Sequence, residues 1–395
     1  MTDFRSLARP ASVLNPFLAT VLGMRPRHWA ACTLLVLSCS AQASEAWQLG
    51  AVLNAISASR ALELGAQDAG LQLGHSDLAA SGPLGRHLHA QVNAVAATHE
   101  GKLERGFEQA WLETRTLPGG WSVRAGRFAS QIGAFNQQHP HADDFAQRPL
   151  MYRAFLGGHW NDDGVRINFT LPTRWYWVIG GEAFRGQRLV PHAEQAPAGA
   201  GVHALTTRMG GDLSRSHSWQ IGLTALNNRR TPEAEEAHVP GHDDAHAHGS
   251  HGARFAGRRV TWLDATWKWA PNGNNRDQQL RLTFEATRIQ AVRPEASAQV
   301  RHDAQSLAAV WRFHPNWETG ARVDRLRVAM AHDGDFEPGR LSEHTVMLAW
   351  KPSHLQTLRV QWARQGDAIG FEAPARQSIM LQYVLVFGAH AAHSY

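Results

Sequence analysis

Along most of the chain, side chains alternate in polarity over runs of about ten residues, each closed by a break rich in Gly, Pro, Asn or Asp. In 278–291, Leu280, Leu282, Phe284 and Ala286 share one face, and Arg281, Thr283, Glu285 and Thr287 share the other. In 259–270, Leu263, Ala265, Trp267 and Trp269 oppose Asp264, Thr266 and Lys268, and 377–388 repeats the pattern with Ile379, Leu381, Tyr383, Leu385 and Phe387. A soluble β-sandwich would alternate in the same way, so the breaks decide. Short ones (117–120, 171–173, 214–218, 270–275, 314–316, 351–354) alternate with long ones (131–163, 187–201, 228–257, 292–300, 331–342, 365–376). That rhythm is the tight-turn and long-loop alternation of outer-membrane barrels. It predicts an all-β fold: a transmembrane antiparallel up-and-down β-barrel of about 16 strands, starting near 48–57 and ending near 377–388, with no separate plug domain. Trp121, Trp175, Trp219, Trp269, Trp317 and Trp350 each fall beside a short turn, where an interfacial aromatic belt would stand.

Composition supports this reading. Charged residues make up 18% and hydrophobic ones 43%, with 15 Trp and 35 Gly, which suits neither a disordered chain nor a helical membrane protein. Past the N-terminus there is no run near the 20 or so apolar residues that a helical span requires. Residues 1–43 read as an extension and export signal. Arg25 and Arg27 precede the apolar stretch Trp29–Leu37, Ala41-Gln42-Ala43 forms the cleavage site, Ser44 starts the mature chain, and Met24 is the better start. Both cysteines, Cys32 and Cys39, fall in this signal, which leaves residues 44–395 without a thiol and suits an oxidising compartment. A weaker alternative makes Val36-Leu37-Ser38-Cys39 a lipoprotein box. Without residues 1–43 the formal charge falls from +5 to +2 and the basic residues are spread singly, so no nucleic-acid partner is expected.

Candidate chemistry lies in the breaks. The break 131–163 follows the fifth strand, where fold analogy expects an inward-folded loop. Its His139, His141 and Asp144 offer nitrogen and oxygen ligands of the kind Zn²⁺ accepts. The break 228–257 carries His238, His242, His246, His248 and His251 with Asp243 and Asp244, a His-rich tract on the extracellular side. Its bland alternative is a solvated loop. His390 and His393 form a smaller group in the tail. Asp264, Lys268, Arg281, Glu285, Arg312 and Arg359 are the expected pore-lining charges, and their mixed signs argue against a strongly ion-selective filter.

The segments Arg124–Phe128, Ile132–Phe145, Pro149–Gly158 and Asn161–Gly164, together with 211–219 and the tail 388–393, resemble a family of proteobacterial outer-membrane proteins known as zinc-regulated outer-membrane receptors or porin-like proteins. The resemblance implies a barrel linked to zinc supply, with His139, His141 and Asp144 on matching positions. Asp143 stands where the family pattern has an aromatic residue. The receptor name also implies energy-coupled import through an N-terminal plug, and the few residues between Ser44 and the first strand leave no room for one.

These observations point to passage of small solutes or metal ions across the outer membrane, associated with zinc uptake. No cofactor is required, and Zn²⁺ is the ion expected to bind. The expected partners are outer-membrane lipid, zinc or small solutes, the barrel-assembly machinery and, by analogy, two further copies in a homotrimer. One rival is a non-conducting zinc-binding surface protein. The other, an outer-membrane hydrolase, finds no G-x-S-x-G or H-E-x-x-H signature, so the chain is not expected to be an enzyme.

Overall fold

A computed structural model describes residues 47–99, 101–232, 252–292, 299–332, 335–373 and 375–388. The alternating runs form sixteen antiparallel strands that close into one barrel. The first eight are β1 (Gln48–Ala58), β2 in two halves (Gly70–Leu73 and Ser76–Leu84), β3 (Leu88–His99), β4 (Lys102–Thr114), β5 (Trp121–Ala129), β6 (Asn161–Thr170), β7 (Tyr176–Phe184) and β8 (Val202–Ser214). The rest are β9 (His217–Asn228), β10 (Arg259–Trp269), β11 (Gln279–Gln290), β12 (Arg301–His314), β13 (Trp317–His332), β14 (Asp335–Ser353), β15 (Gln356–Ile369) and β16 (Gln377–Gly388). Consecutive strands pair, and β1 closes on β16 in register from Gly50↔Gly388 to Ala58↔Met380. Closure gives every strand a neighbour on both sides, the condition for β-structure in lipid.

The outer surface is apolar and the inner one polar. Leu205, Leu223, Leu307, Val346, Val360 and Ile379 point outward and are exposed, whereas their strand neighbours Thr206, Thr224, Ser306, Thr345, Gln361 and Ser378 are buried inside. Trp121, Trp175, Trp317 and Trp350 are exposed beside short turns, as a belt at the membrane interface requires. Two expected long breaks prove shorter. Residues 331–342 belong mostly to a continuous hairpin, paired from Trp317↔Trp350 to His332↔Asp335. Strand β15 likewise runs on to Ile369, leaving only 370–376 between it and β16. In both places polar and Gly/Pro residues lie within paired strand, above the alternating part.

The break 131–163, expected to fold inward, fills the lumen. The lumen holds a packed interior of its own: the segment between β5 and β6 turns inward and, with the wall, buries Phe128, Ile132, Leu150, Met151, Tyr152 and Trp160 against Trp262, Ile289, Leu326 and Leu341. Its α-helix, α1 (Leu150–Phe155), is buried at every residue. Six residues are too few to be helical alone, so the wall contacts hold the turn.

Placing a cation on the outer face tests its exposure to lipid. Leu307 lies near the middle of β12 and is 55% exposed. Leu307→Arg is expected to cost about 2–4 kcal/mol in lipid, read as a lower urea midpoint for the vesicle-folded barrel.

Candidate metal centre

The inward segment starts with a sharp turn. Ser130 Oγ donates to Glu182 Oε2 at 2.6 Å, and Gly133 follows with φ +69°. A Cβ at Gly133 would fall 2.2 Å from Tyr152 Oη and 2.9 Å from Glu285 Oε2. This close fit lets Glu285 Oε2 accept from Tyr152 Oη (2.7 Å), Trp262 Nε1 (2.9 Å) and the Ala134 N–H (3.0 Å). Within the segment, Arg148 donates to Asp143 Oδ2 (2.7 Å) and to the carbonyls of Phe135 (3.0 Å) and Gly158 (3.1 Å). Across the lumen Arg153 meets Glu343 at 2.5 Å, Arg322 donates to Gln147 O at 2.6 Å, Arg359 to Asp143 O at 2.6 Å, and the Ala146 N–H to Gln361 Oε1 at 2.8 Å. The segment therefore touches walls from β7 round to β15.

On the opposite wall it meets a cluster of imidazoles and carboxylates. Two departures from regular strand build the wall side. Strand β2 breaks at 74–75, where the Gly74 N–H donates to Asn54 O at 2.8 Å and a Cβ on Gly74 would stand 2.6 Å from Asn54 Nδ2. His75 and Asp77 follow that notch. In β4 the register skips one residue, from Asn93↔Gln109 to Ala94↔Phe107, so Glu108 and Gln109 are both buried. Such a bulge re-aims side chains that alternation would send to opposite faces.

The segment contributes His139, His141 and His159. Glu108 accepts from His75 Nε2 (3.0 Å to Oε1) and His159 Nδ1 (2.7 Å to Oε1), and its Oε2 lies 3.0 Å from His139 Nδ1. Asp77 Oδ2 lies 3.4 Å from His139 Nδ1 and 3.6 Å from His141 Nδ1. Donor atoms of His75, Glu108 and His139 all lie within 4.8 Å of one another, as do those of His75, Asp77 and His141. Gln109 Nε2 donates to His139 Nε2 at 3.3 Å, and the Trp111 indole donates to Gln109 Oε1 at 3.0 Å, which orients the ring with Nδ1 toward Glu108. Burial pushes the His159 imidazole down to about 4, which keeps the ring neutral, the form that ligates metals. Both Asp77 oxygens, His75 Nδ1 and His159 Nε2 are buried with no hydrogen bond. Orphaned polar atoms at such depth are costly, and a cation among them would remove the cost.

Of the residues singled out from sequence, His139 and His141 lie in this cluster. Asp144 does not: it pairs with Arg281 on β11. His238, His242, His246, His248 and His251 lie outside the described residues, as do His390 and His393. The six expected pore-lining residues divide. Asp264, Glu285 and Arg359 are buried under the inward segment, and Asp264 lies 3.3 Å from Arg208. Lys268, Arg281 and Arg312 are half-buried, Arg312 pairing with Glu318. His75, Asp77, Glu108 and His159 were not anticipated. The motif His75-x-Asp77, matching His139-x-His141 in spacing, was the one available signal, whereas the bulge that turns Glu108 inward leaves no trace in the polarity pattern.

Comparisons place the barrel among known folds. No family model matches the chain. An uncharacterized protein of Aquifex aeolicus is 26% identical over 317 residues, covering 73% of this chain and 63% of that protein, so the chain spans less than two thirds of its length. The outer-membrane protein OmpT of Vibrio cholerae is similar in structure, as a loop L8 deletion mutant (TM-score 0.56, 10% identity, 87% of this chain and 99% of that one) and in a trimer form (TM-score 0.53, 11% identity, 87% and 99%). OprB of Pseudomonas putida is similar too (TM-score 0.55, 12% identity, 91% and 97%). The fold is thus that of the porin-like barrels of bacterial outer membranes.

The turn at Gly133 gives a stability test. Gly133→Val combines a left-handed backbone with a clash at Tyr152 and is expected to cost about 2 kcal/mol or more, measured by urea unfolding of the barrel refolded in detergent.

Proposed function

We propose that the chain is an exported outer-membrane porin-like channel for small solutes or metal ions, associated with zinc uptake, and that donors drawn from His75, Asp77, Glu108, His139, His141 and His159 hold a divalent transition-metal ion in its lumen. The observation that carries this reading is the convergence of four imidazoles and two carboxylates on the point where the inward segment meets the wall. Mixed nitrogen and oxygen donors suit Zn²⁺ among the biological divalent ions. Residues 1–43 act as the export signal in this reading. The trimer form of OmpT supports assembly as a homotrimer, and the chemistry is binding and passage without catalysis.

The filled lumen favours a second reading, a non-conducting zinc-binding protein of the outer membrane. Planar-bilayer recording separates the two: discrete, low-conductance openings are expected, and a silent barrel would favour the second. Removing 238–251 is expected to impair growth under zinc limitation while conductance stays the same, if that tract gathers the ion outside the pore.

Calorimetry with Zn²⁺ tests the ligand set. Glu108→Gln is expected to weaken binding about 100-fold or more. Asp144→Asn is expected to leave affinity unchanged, and a large loss there would return the site to the His139, His141 and Asp144 set.

A further inference from the structure

The six side chains belong to two bodies. His75, Asp77 and Glu108 stand on β2 and β4 of the wall, whereas His139, His141 and His159 stand on the segment that crosses the lumen. An ion bound by both sets cross-links the segment to the barrel. We infer that the ion held at this junction is a resident fastener that keeps the inward segment closed across the lumen, and not cargo in transit. The inference rests on the metal-binding reading given above and adds what the ion does.

Geometry supports one ion held by both bodies. Around a tetrahedral ion with bonds of about 2.0–2.1 Å, donor atoms stand roughly 3.3 Å apart and imidazole centroids roughly 5 Å apart. Here the donor separations between wall and segment run from 2.7 Å (Glu108 to His159) to 3.6 Å (Asp77 to His141). The rings of His139 and His141 lie 5.5 Å apart, and His75 lies 5.6 Å from His139, 5.8 Å from His141 and 6.3 Å from His159. These ring spacings are slightly more than those to which an ion would draw them.

Burial argues for residence. Asp77, Glu108, His139 and His141 are each exposed by 5% or less, and a site for cargo needs an open way in and out. The two carboxylates give the ion charge compensation at depth, and both oxygens of Asp77 are buried with no hydrogen bond. On the far wall the segment is held by Arg153–Glu343 and Tyr152–Glu285. On the β2 and β4 side the segment meets the wall through His159–Glu108 and His139–Gln109 and through the metal centre, and loss of the ion loosens that edge.

The test uses the full-length barrel purified in detergent and reads metal content, segment opening and conductance separately. About one equivalent of zinc or another first-row divalent ion is expected to survive dialysis and to leave only with a strong chelator. Hydrogen exchange of amides in 131–160 is the direct readout. With free Zn²⁺ at 100 times its dissociation constant, opening that requires loss of the ion falls about 100-fold, so exchange there is expected to slow about 100-fold relative to the stripped protein, with wall amides of β10–β14 unchanged. The double variant His139→Ala/His141→Ala is expected to lose that slowing. Because wild-type protein with and without chelator gives the same comparison, a folding defect in the variant cannot decide the outcome. Conductance is expected to rise on chelation and fall when Zn²⁺ returns.

Ion retained with exchange in 131–160 unaltered by chelation would overturn the fastener while leaving metal binding intact. Absence of any retained or titratable ion would overturn the metal-binding reading and the fastener together. Zinc-dependent exchange in a barrel that never conducts would uphold the fastener and overturn only the channel reading.

Discussion

Backbone hydrogen bonding sets the terms for everything else in this barrel. In lipid an unpaired strand edge has no water to turn to, so the sheet must close, and β1 meeting β16 over nine residue pairs does so. Closure also fixes polarity. One face of each strand touches hydrocarbon, which leaves the other to carry the chain's polar and ionisable groups into a confined interior. A lumen lined with such groups can stay wet, or can be matched by polar partners of its own.

This chain matches them. The segment between β5 and β6 brings carbonyls, guanidinium groups and a tyrosine hydroxyl to the wall, and it supplies an apolar centre that the wall alone lacks. The ion network of Arg153, Arg322, Asp324 and Glu343 is nearly inaccessible, and Arg322 reaches both acids and the main-chain carbonyl of Gln147. Buried ion pairs gain little net stability against desolvation, but breaking one leaves an uncompensated charge. Such contacts specify a position for the segment more than they add to stability. Four imidazoles and two carboxylates complete the arrangement on the remaining side.

The barrel could be read from polarity because its cause is local. Residues two apart share a face, so Leu280, Leu282 and Phe284 declare a strand and its lipid side without any knowledge of neighbours. The same rule turns Asp264, Glu285 and Arg359 inward but says nothing of what lies against them. His139 and His141 stood out by spacing within one loop. Their partners did not, because His75 follows a broken strand and Glu108 owes its orientation to a bulge, both produced by pairing with other strands. Asp144, two residues from the helical turn that carries His141, shows how little proximity in sequence says about a side chain whose neighbour across the lumen is Arg281.

The dispersal of the six metal-competent side chains over residues 75 to 159 bears on the order of assembly. No local stretch of the unfolded polypeptide brings the full set together: the notch in β2, the register skip in β4 and the returning end of the inward segment must all be in place first. Such non-local contacts arise late, after the chain entropy of bringing distant stretches together has been overcome. An ion bound by the proposed set would therefore be captured by the finished barrel and not by the nascent chain, which would make metal uptake at this position a marker of completed maturation.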